Sequence, residues 1–374
     1  MHRGGLTVAI NRILVPLDGS ELAEQALGIA REIAAATRAG LILVRVIPPL
    51  PLLWPGQGPE IEARLKAEAE AYLEKVAAQL REAVADVEPV VVSEADVPGA
   101  IREQVQLKGA DLVVMSTHGH SGLGRWVYGS VTEGVLASSP VPVIAVRASQ
   151  RPRPFSPATR PPRILVPLDG SEFGEAAVRV AAELARAFNG TLVLTEVVWL
   201  GPPEPPGSVR PTVEQQLDDA RVYLERLAAR LRSEGVKATT ELEVGFSVVD
   251  HLLEVARRVD ADLIALSTHG RTGLVGILFG SVTLGLLRRS DLPILVVRPE
   301  LMARREAAPV AATAAAPTES GTVRAVELTG REAAIVENAL KSFADIYPAG
   351  DPLRDEVRVL LAKLKSGPAT RRSG

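Results

Sequence analysis

The sequence predicts two α/β domains in tandem, each a parallel sheet covered by helices on both faces. Three observations predict it: a duplicated sequence, a regular alternation of strand and helix patterns within each copy, and strands that are apolar along their whole length. The duplication is plain. Residues 12–21 read RILVPLDGSE, and residues 163–172 read the same. STHG recurs at 116–119 and 267–270, GSVT at 129–132 and 280–283, and a Pro-led apolar run closes each copy at 142–147 and 293–298. One offset of 151 residues relates all of them. A period that long marks duplicated domains, not a solenoid.

Within the first copy, 13–17 is a short apolar run followed by a turn, a buried strand. Residues 20–37 are Ala-rich with helical spacing, and 41–47 is the second strand. Ile61, Leu65, Tyr72, Val76 and Leu80 recur at three- and four-residue steps, the stripe of a long amphipathic helix. A strand at 87–92, a helix at 98–107 with Pro98 in its first turn, a strand at 111–115, a helix at 130–137 and a strand at 143–146 complete the unit. The second copy repeats the order, with strands at 164–168, 191–198, 238–244, 263–266 and 294–297. Its long helix carries Val213, Leu217, Leu224, Leu227 and Leu231. Apolar strands alternating with helices mean a parallel sheet buried on both faces, and right-handed crossovers make it doubly wound. Ligands of such sheets sit at the carboxyl ends of the strands. The loops after the first and fourth strands lie there.

The domains are expected at 1–148 and 163–299. A Pro/Arg-rich linker fills 149–162, and an Ala/Pro-rich linker fills 300–325. Beyond it, 326–366 reads as a helical hairpin. Thr329 and Glu332 form a capping box ahead of Val336, Leu340, Phe343 and Tyr347. Asp351 and Pro352 open a second helix striped with Val357, Leu360, Leu361 and Leu364. Residues 367–374 are expected to be disordered.

The chain has 374 residues, of which 47% are hydrophobic but only 3% aromatic, so the cores must be aliphatic. A net charge of -3 gives no reason to expect nucleic acid or an anionic membrane as partner. The absence of cysteine excludes disulfides, thiolate metal sites and a cysteine nucleophile. The first residues lack the apolar core of a signal peptide, and no stretch has the apolar length of a membrane span. The expectation is a cytoplasmic protein.

The residues that carry chemistry cluster after the fourth strand. In the first copy Gly119 is followed after nine residues by Gly129 and Ser130; in the second, Gly270 is followed by Gly280 and Ser281 at the same spacing. Glycine lets backbone N–H groups approach a phosphate closely, and a helix starting there adds unpaired N–H groups and a positive dipole end. A tight loop with a helix cap calls for the same residues, so both readings stand at this point. Asp18 and Asp169 end the first strand of each copy. Each is an acceptor for an adenine amine or ribose hydroxyl, or a cap for the following helix through the Asp-x-x-Glu pairs with Glu21 and Glu172. His118 and His269 lack companions at metal-ligand spacing, so no metal site is expected. No Gly-x-Ser-x-Gly elbow and no Walker A lysine is present.

Taken together, the VPLDGS strand and turn, the STHG loop, the GSVT helix start and the Pro-led last strand, in order and twice, resemble the universal stress protein family. The resemblance covers about 12–147 and 163–298. It implies a five-stranded sheet of order 3-2-1-4-5, of the adenine-nucleotide α-hydrolase-like kind, with the domains meeting through their last strands, 143–146 against 294–297, as a pseudo-dimer within one chain. It also implies a site for ATP or a related adenine nucleotide, with or without Mg. The family's nucleotide motif, Gly-x2-Gly-x9-Gly-Ser/Thr, maps onto Ser116, Gly119, Gly129 and Ser130, and onto Ser267, Gly270, Gly280 and Ser281. Serine stands where the first glycine is usual. Asp18 and Asp169, with Val46 and Val197 of the second strands, complete the carried-over set. Three functions follow as expectations, in order: a nucleotide-binding stress-response module that senses or regulates through a protein partner, a slow ATPase or nucleotidyl transferase, and a dimerisation scaffold that binds no nucleotide. Further association into a homodimer is compatible with each.

Overall fold

A computed structural model describes residues 9–47, 49, 58–117, 129–147, 160–200, 211–268 and 280–299. The expected helical hairpin, the 300–325 linker, most of the 149–162 linker, and Gly119 and Gly270 lie outside the described residues.

The first domain runs β1 (Arg12–Pro16), α1 (Glu21–Thr37), β2 (Gly40–Ile47), α2 (Gly58–Leu80), β3 (Val87–Ser93), α3 (Val97–Leu107), β4 (Leu112–Ser116), α4 (Ser130–Ser138) and β5 (Val143–Val146). The second runs β6 (Arg163–Leu168), α5 (Ala176–Ala187), β7 (Thr191–Trp199), α6 (Val213–Ser233), β8 (Lys237–Gly245), α7 (Val248–Arg258), β9 (Leu263–Ser267), α8 (Ser281–Arg289) and β10 (Ile294–Val297). β4 starts one residue later than the apolar run suggests. The Asp111 carboxylate there accepts from the backbone N–H groups of Asn11, at 2.9 Å, and Arg12, at 3.2 Å.

The strands form one ten-stranded sheet in the order β3-β2-β1-β4-β5-β10-β9-β6-β7-β8. Each half has the order 3-2-1-4-5 and is parallel throughout. The halves join where β5 pairs with β10 in antiparallel register, Leu295 opposite Ile144. Alternate strand residues face opposite sides of a sheet. Accordingly Ile13, Val15, Leu41 and Leu43 enter one apolar cluster with α1, α2, α5 and α6, while Leu14, Ile42 and Val44 enter another with α3, α4, α7 and α8. Both clusters draw on both domains. Complete burial of a Leu or Ile side chain contributes about 1.5–3 kcal/mol, so the aliphatic cores are sufficient without aromatics.

The two domains differ in the turn after their first strand. Ser20 caps α1, its side chain accepting from Ala23 N at 3.1 Å. In the second domain Ser171 accepts from Gly174 N at 3.1 Å, yet α5 begins only at Ala176. The chain turns at 172–175 first. Gly174 stands where Ala23 stands in the first copy, and glycine weakens a helix by about 1 kcal/mol relative to alanine.

Candidate functional site

The carboxyl ends of the parallel strands build the same constellation twice. After β1, Gly19 adopts φ +89, a left-handed conformation open to glycine, and Gly170 after β6 adopts φ +77. That turn folds the Asp18 carboxylate back onto Ser20. Its Oδ1 accepts from Ser20 N at 3.0 Å and from Ser20 Oγ at 2.6 Å. Asp169 does the same to Ser171, at 3.1 and 2.6 Å. The capping reading of Asp18 is thereby corrected. The serine two residues on caps the helix, because its hydroxyl reaches the N–H three residues ahead, and the aspartate orients that hydroxyl.

After β4 and β9, a second pair of features repeats. Gly129 N donates to Thr117 O at 3.2 Å, and Gly280 N to Thr268 O at 3.0 Å. Thr132 Oγ1 donates to Ser116 O at 3.2 Å, and Thr283 Oγ1 to Ser267 O at 3.3 Å. The threonine of GSVT therefore pins each helix start to the end of the adjoining strand. Gly129 and Gly280 are the N-cap residues of α4 and α8, and neither helix has a side-chain cap. By contrast α1, α3, α6 and α7 all do.

In the second domain these parts open into a cavity of about 710 Å³. Asp169, Val197, Ser267, Gly280 and Ser281, five of the six residues expected to act there, all line it. Ser267 Oγ is shut off from water and has no hydrogen-bond partner. In the first domain Asp18, Val46, Ser116, Gly129 and Ser130 hold the equivalent places: the turn after β1, the end of β2, the end of β4 and the start of α4. Val46 and Val197 both pack on the apolar cluster of the α3, α4, α7 and α8 side.

Sequence reasoning missed several lining residues. Tyr223 of α6 and Glu196 and Trp199 of β7 also line the cavity. Glu196 is 8% exposed. Burial, then the negative charges of Glu175, Glu196 and Asp169, push the Tyr223 phenol above its usual range. The 151-residue offset places Arg45 where Glu196 stands and Tyr72 where Tyr223 stands. The Arg45 guanidinium lies 5.1 Å from the Tyr72 ring centroid and covers the Gly19 turn. Tyr72 Oη donates to Glu24 at 2.9 Å. Burial and Glu24 raise its phenol too, with Arg45 acting against them. A charge inversion between otherwise repeated strands was the available signal.

The model of the universal stress protein family matches twice, over residues 9–147 and 162–298. The chain belongs to the universal stress protein family. A universal stress protein of Mycolicibacterium smegmatis is 30% identical over 295 residues, covering 77% of this chain and 97% of that one. One from Methanocaldococcus jannaschii is 31% identical over 140 residues, covering 36% of this chain and 81% of its own. The crystal structure of a universal stress protein from Archaeoglobus fulgidus superposes with a TM-score of 0.59 at 21% identity. It covers 78% of this chain and all of its own, a likeness of fold. Among the described residues of this universal stress protein, no helix is long and apolar enough to cross a membrane. No group of three or more His, Cys, Asp or Glu side chains there could hold a metal ion.

Proposed function

We propose that each of the two domains, 1–148 and 163–299, binds ATP or a related adenine nucleotide, and that the chain is a sensing or regulatory stress-response module, not an enzyme. The observation that carries this reading is the start of α8 at the cavity. Gly280 has φ -62, within reach of any residue, and a Cβ there would meet Thr268 O at 3.5 Å, an ordinary contact. Gly129 is equivalent, with φ -58 and 3.6 Å to Thr117 O. The fold thus tolerates a side chain at both positions, and a better helix cap than glycine was available. A bare helix N-terminus facing a cavity suits a phosphate group, whose oxygens accept from the first N–H groups and from the Ser281 hydroxyl. The unpartnered Ser267 Oγ fits the same reading, because a ligand oxygen would satisfy it. In this reading Asp169 and Val197 line the nucleoside end, and Mg accompanies the nucleotide as its counter-ion.

Titration calorimetry of nucleotide-stripped protein with Mg-ATP tests it. Two sites are expected, one lost in Gly129→Val and the other in Gly280→Val. Each affinity falls at least tenfold, about 1.4 kcal/mol, while stability falls by no more than about 1 kcal/mol. Unchanged affinity in a folded Gly280→Val protein removes the phosphate cradle. Sustained hydrolysis of ATP in the same samples replaces the binding module with an enzyme.

A further inference from the structure

The two copies share STHG and GSVT where a phosphate would sit and differ at the outer end of the second strand. β7 ends at Trp199, where the first copy has Pro48. Strand alternation puts Trp199 on the same sheet face as Val197, two residues earlier. That is the face toward α7 and α8. Trp199 and Val197 line the cavity together, with Val248 and Leu252 of α7 on the same side.

Trp199 is 48% exposed, a costly state for the largest apolar side chain. Its indole nitrogen is already committed, donating to Phe246 O at 2.9 Å across to the end of β8. That bond fixes the ring at the cavity mouth without consuming its face. The exposed ring therefore offers a π surface in a set orientation, two strands from the helix start that suits a phosphate. Neighbouring strands are about 4.8 Å apart. The step from β9 across β6 to β7 is thus about 10 Å, a span suited to a nucleotide whose phosphate lies at α8 and whose base reaches β7.

We infer that Trp199 stacks on the planar heteroaromatic base of the ligand in the second-domain site, and that this contact, at a strand position where the first copy has Pro48, makes the second site the one that reads the base. The inference rests on the nucleotide reading of that cavity. Stacking is indifferent to the charge of the ligand, so it raises affinity for nucleosides and nucleotides alike. A base-stacked site holds adenosine; the first site, with proline in place of tryptophan, depends on phosphates.

Three probes separate the contacts: adenosine, which has the base alone; tripolyphosphate, which has the charge alone; and ATP. They are titrated by calorimetry into the full chain and into Trp199→Leu, Trp199→Phe and Gly280→Val. Adenosine is expected to bind one site, about tenfold more weakly in Trp199→Leu, the change that about 1.4 kcal/mol of stacking gives. Trp199→Phe recovers most of the loss, whereas a purely structural role would leave leucine and phenylalanine alike. Tripolyphosphate binding is unmoved by either Trp199 variant and weakened by Gly280→Val. Equal adenosine affinity in wild type and a folded Trp199→Leu protein overturns the stacking, as does an absence of adenosine binding. Loss of ATP in Gly280→Val with adenosine unaffected by Trp199→Leu leaves the phosphate cradle standing and removes only the inference. Adenosine binding that needs Trp199, with ATP indifferent to Gly280→Val, does the reverse.

Discussion

The Asp18 carboxylate holds the Ser20 hydroxyl at 2.6 Å, and that hydroxyl accepts from Ala23 N. Removing the carboxylate frees the serine to rotate away from its capping position. Asp18→Ala is expected to cost about 1 kcal/mol in urea unfolding, the usual value of a helix cap, and Asp169→Ala less, because Ser171 holds only the turn ahead of α5. Asp18→Asn keeps an oxygen acceptor and restores most of that stability. If the carboxylate also serves a nucleotide, Asn restores stability without restoring affinity; an Asp18→Ala protein as stable as wild type removes the capping role. Such residues were legible in the sequence because VPLDGS, STHG and GSVT are short, contiguous and repeated. Glu196, Tyr223 and Trp199 were not. Tyr223 stands beside the apolar stripe read for its helix, and Glu196 reads as a polar break in a strand. Their meeting at one cavity depends on which helix packs over which strand. Pairings of that range leave no local pattern.

At the scale of elements, the helices that carry the glycine starts are held unusually close to their neighbours. Gly134 within α4 faces Pro98 of α3, and a Cβ there would come within 2.6 Å of the Pro98 ring. Gly285 of α8 is its counterpart against Val249 of α7, at 2.7 Å. In an exposed helix, Gly→Ala stabilises by about 1 kcal/mol. Here Gly285→Ala is expected to destabilise by about 1–3 kcal/mol through overpacking, and to weaken nucleotide binding by tilting the start of α8. A rise in melting temperature on Gly285→Ala would show that the helices have room to part. The sequence revealed both helices by their apolar spacing and the motif at their start, but it hid the close packing. A glycine inside a helical pattern looks the same whether it is tolerated or required. The outer strands are legible in part. β3 carries Pro89, which removes a ladder donor. In β8, Glu241 and Glu243 pair with Arg258 at 2.7 and 2.5 Å. Charges and proline on edge strands discourage further pairing, consistent with an open sheet whose edges are β3 and β8.

Across the whole molecule, the duplicated domains share one sheet and two cores, so their stabilities cannot be independent. Leu295 and Ile144 face each other across the β5–β10 pair, both fully buried, in a cluster whose members span Ile10 to Val297. Arginines that follow the two strands reach across reciprocally: Arg147 to Ser290 O at 3.1 Å and Asp291 at 3.2 Å, and Arg298 to Ala137 O. α1 also touches α5 across the junction. Leu295→Ala should therefore cost about 2–5 kcal/mol and lower both domains together, because the cavity it opens lies on the seam. Leu73→Ala, in α2 on the far side of the first domain, should cost a similar amount while leaving the seam intact. Hydrogen exchange resolved by domain distinguishes the two. In Leu295→Ala, protection of β1 and β6 is expected to fall in parallel. In Leu73→Ala, β1 is expected to lose more than β6. Loss confined to the second domain in Leu295→Ala would mean that the β5–β10 pair merely abuts two self-sufficient units. Coupled loss would mean that a ligand bound in one half stabilises the other, so that paired sites in one chain respond as a unit.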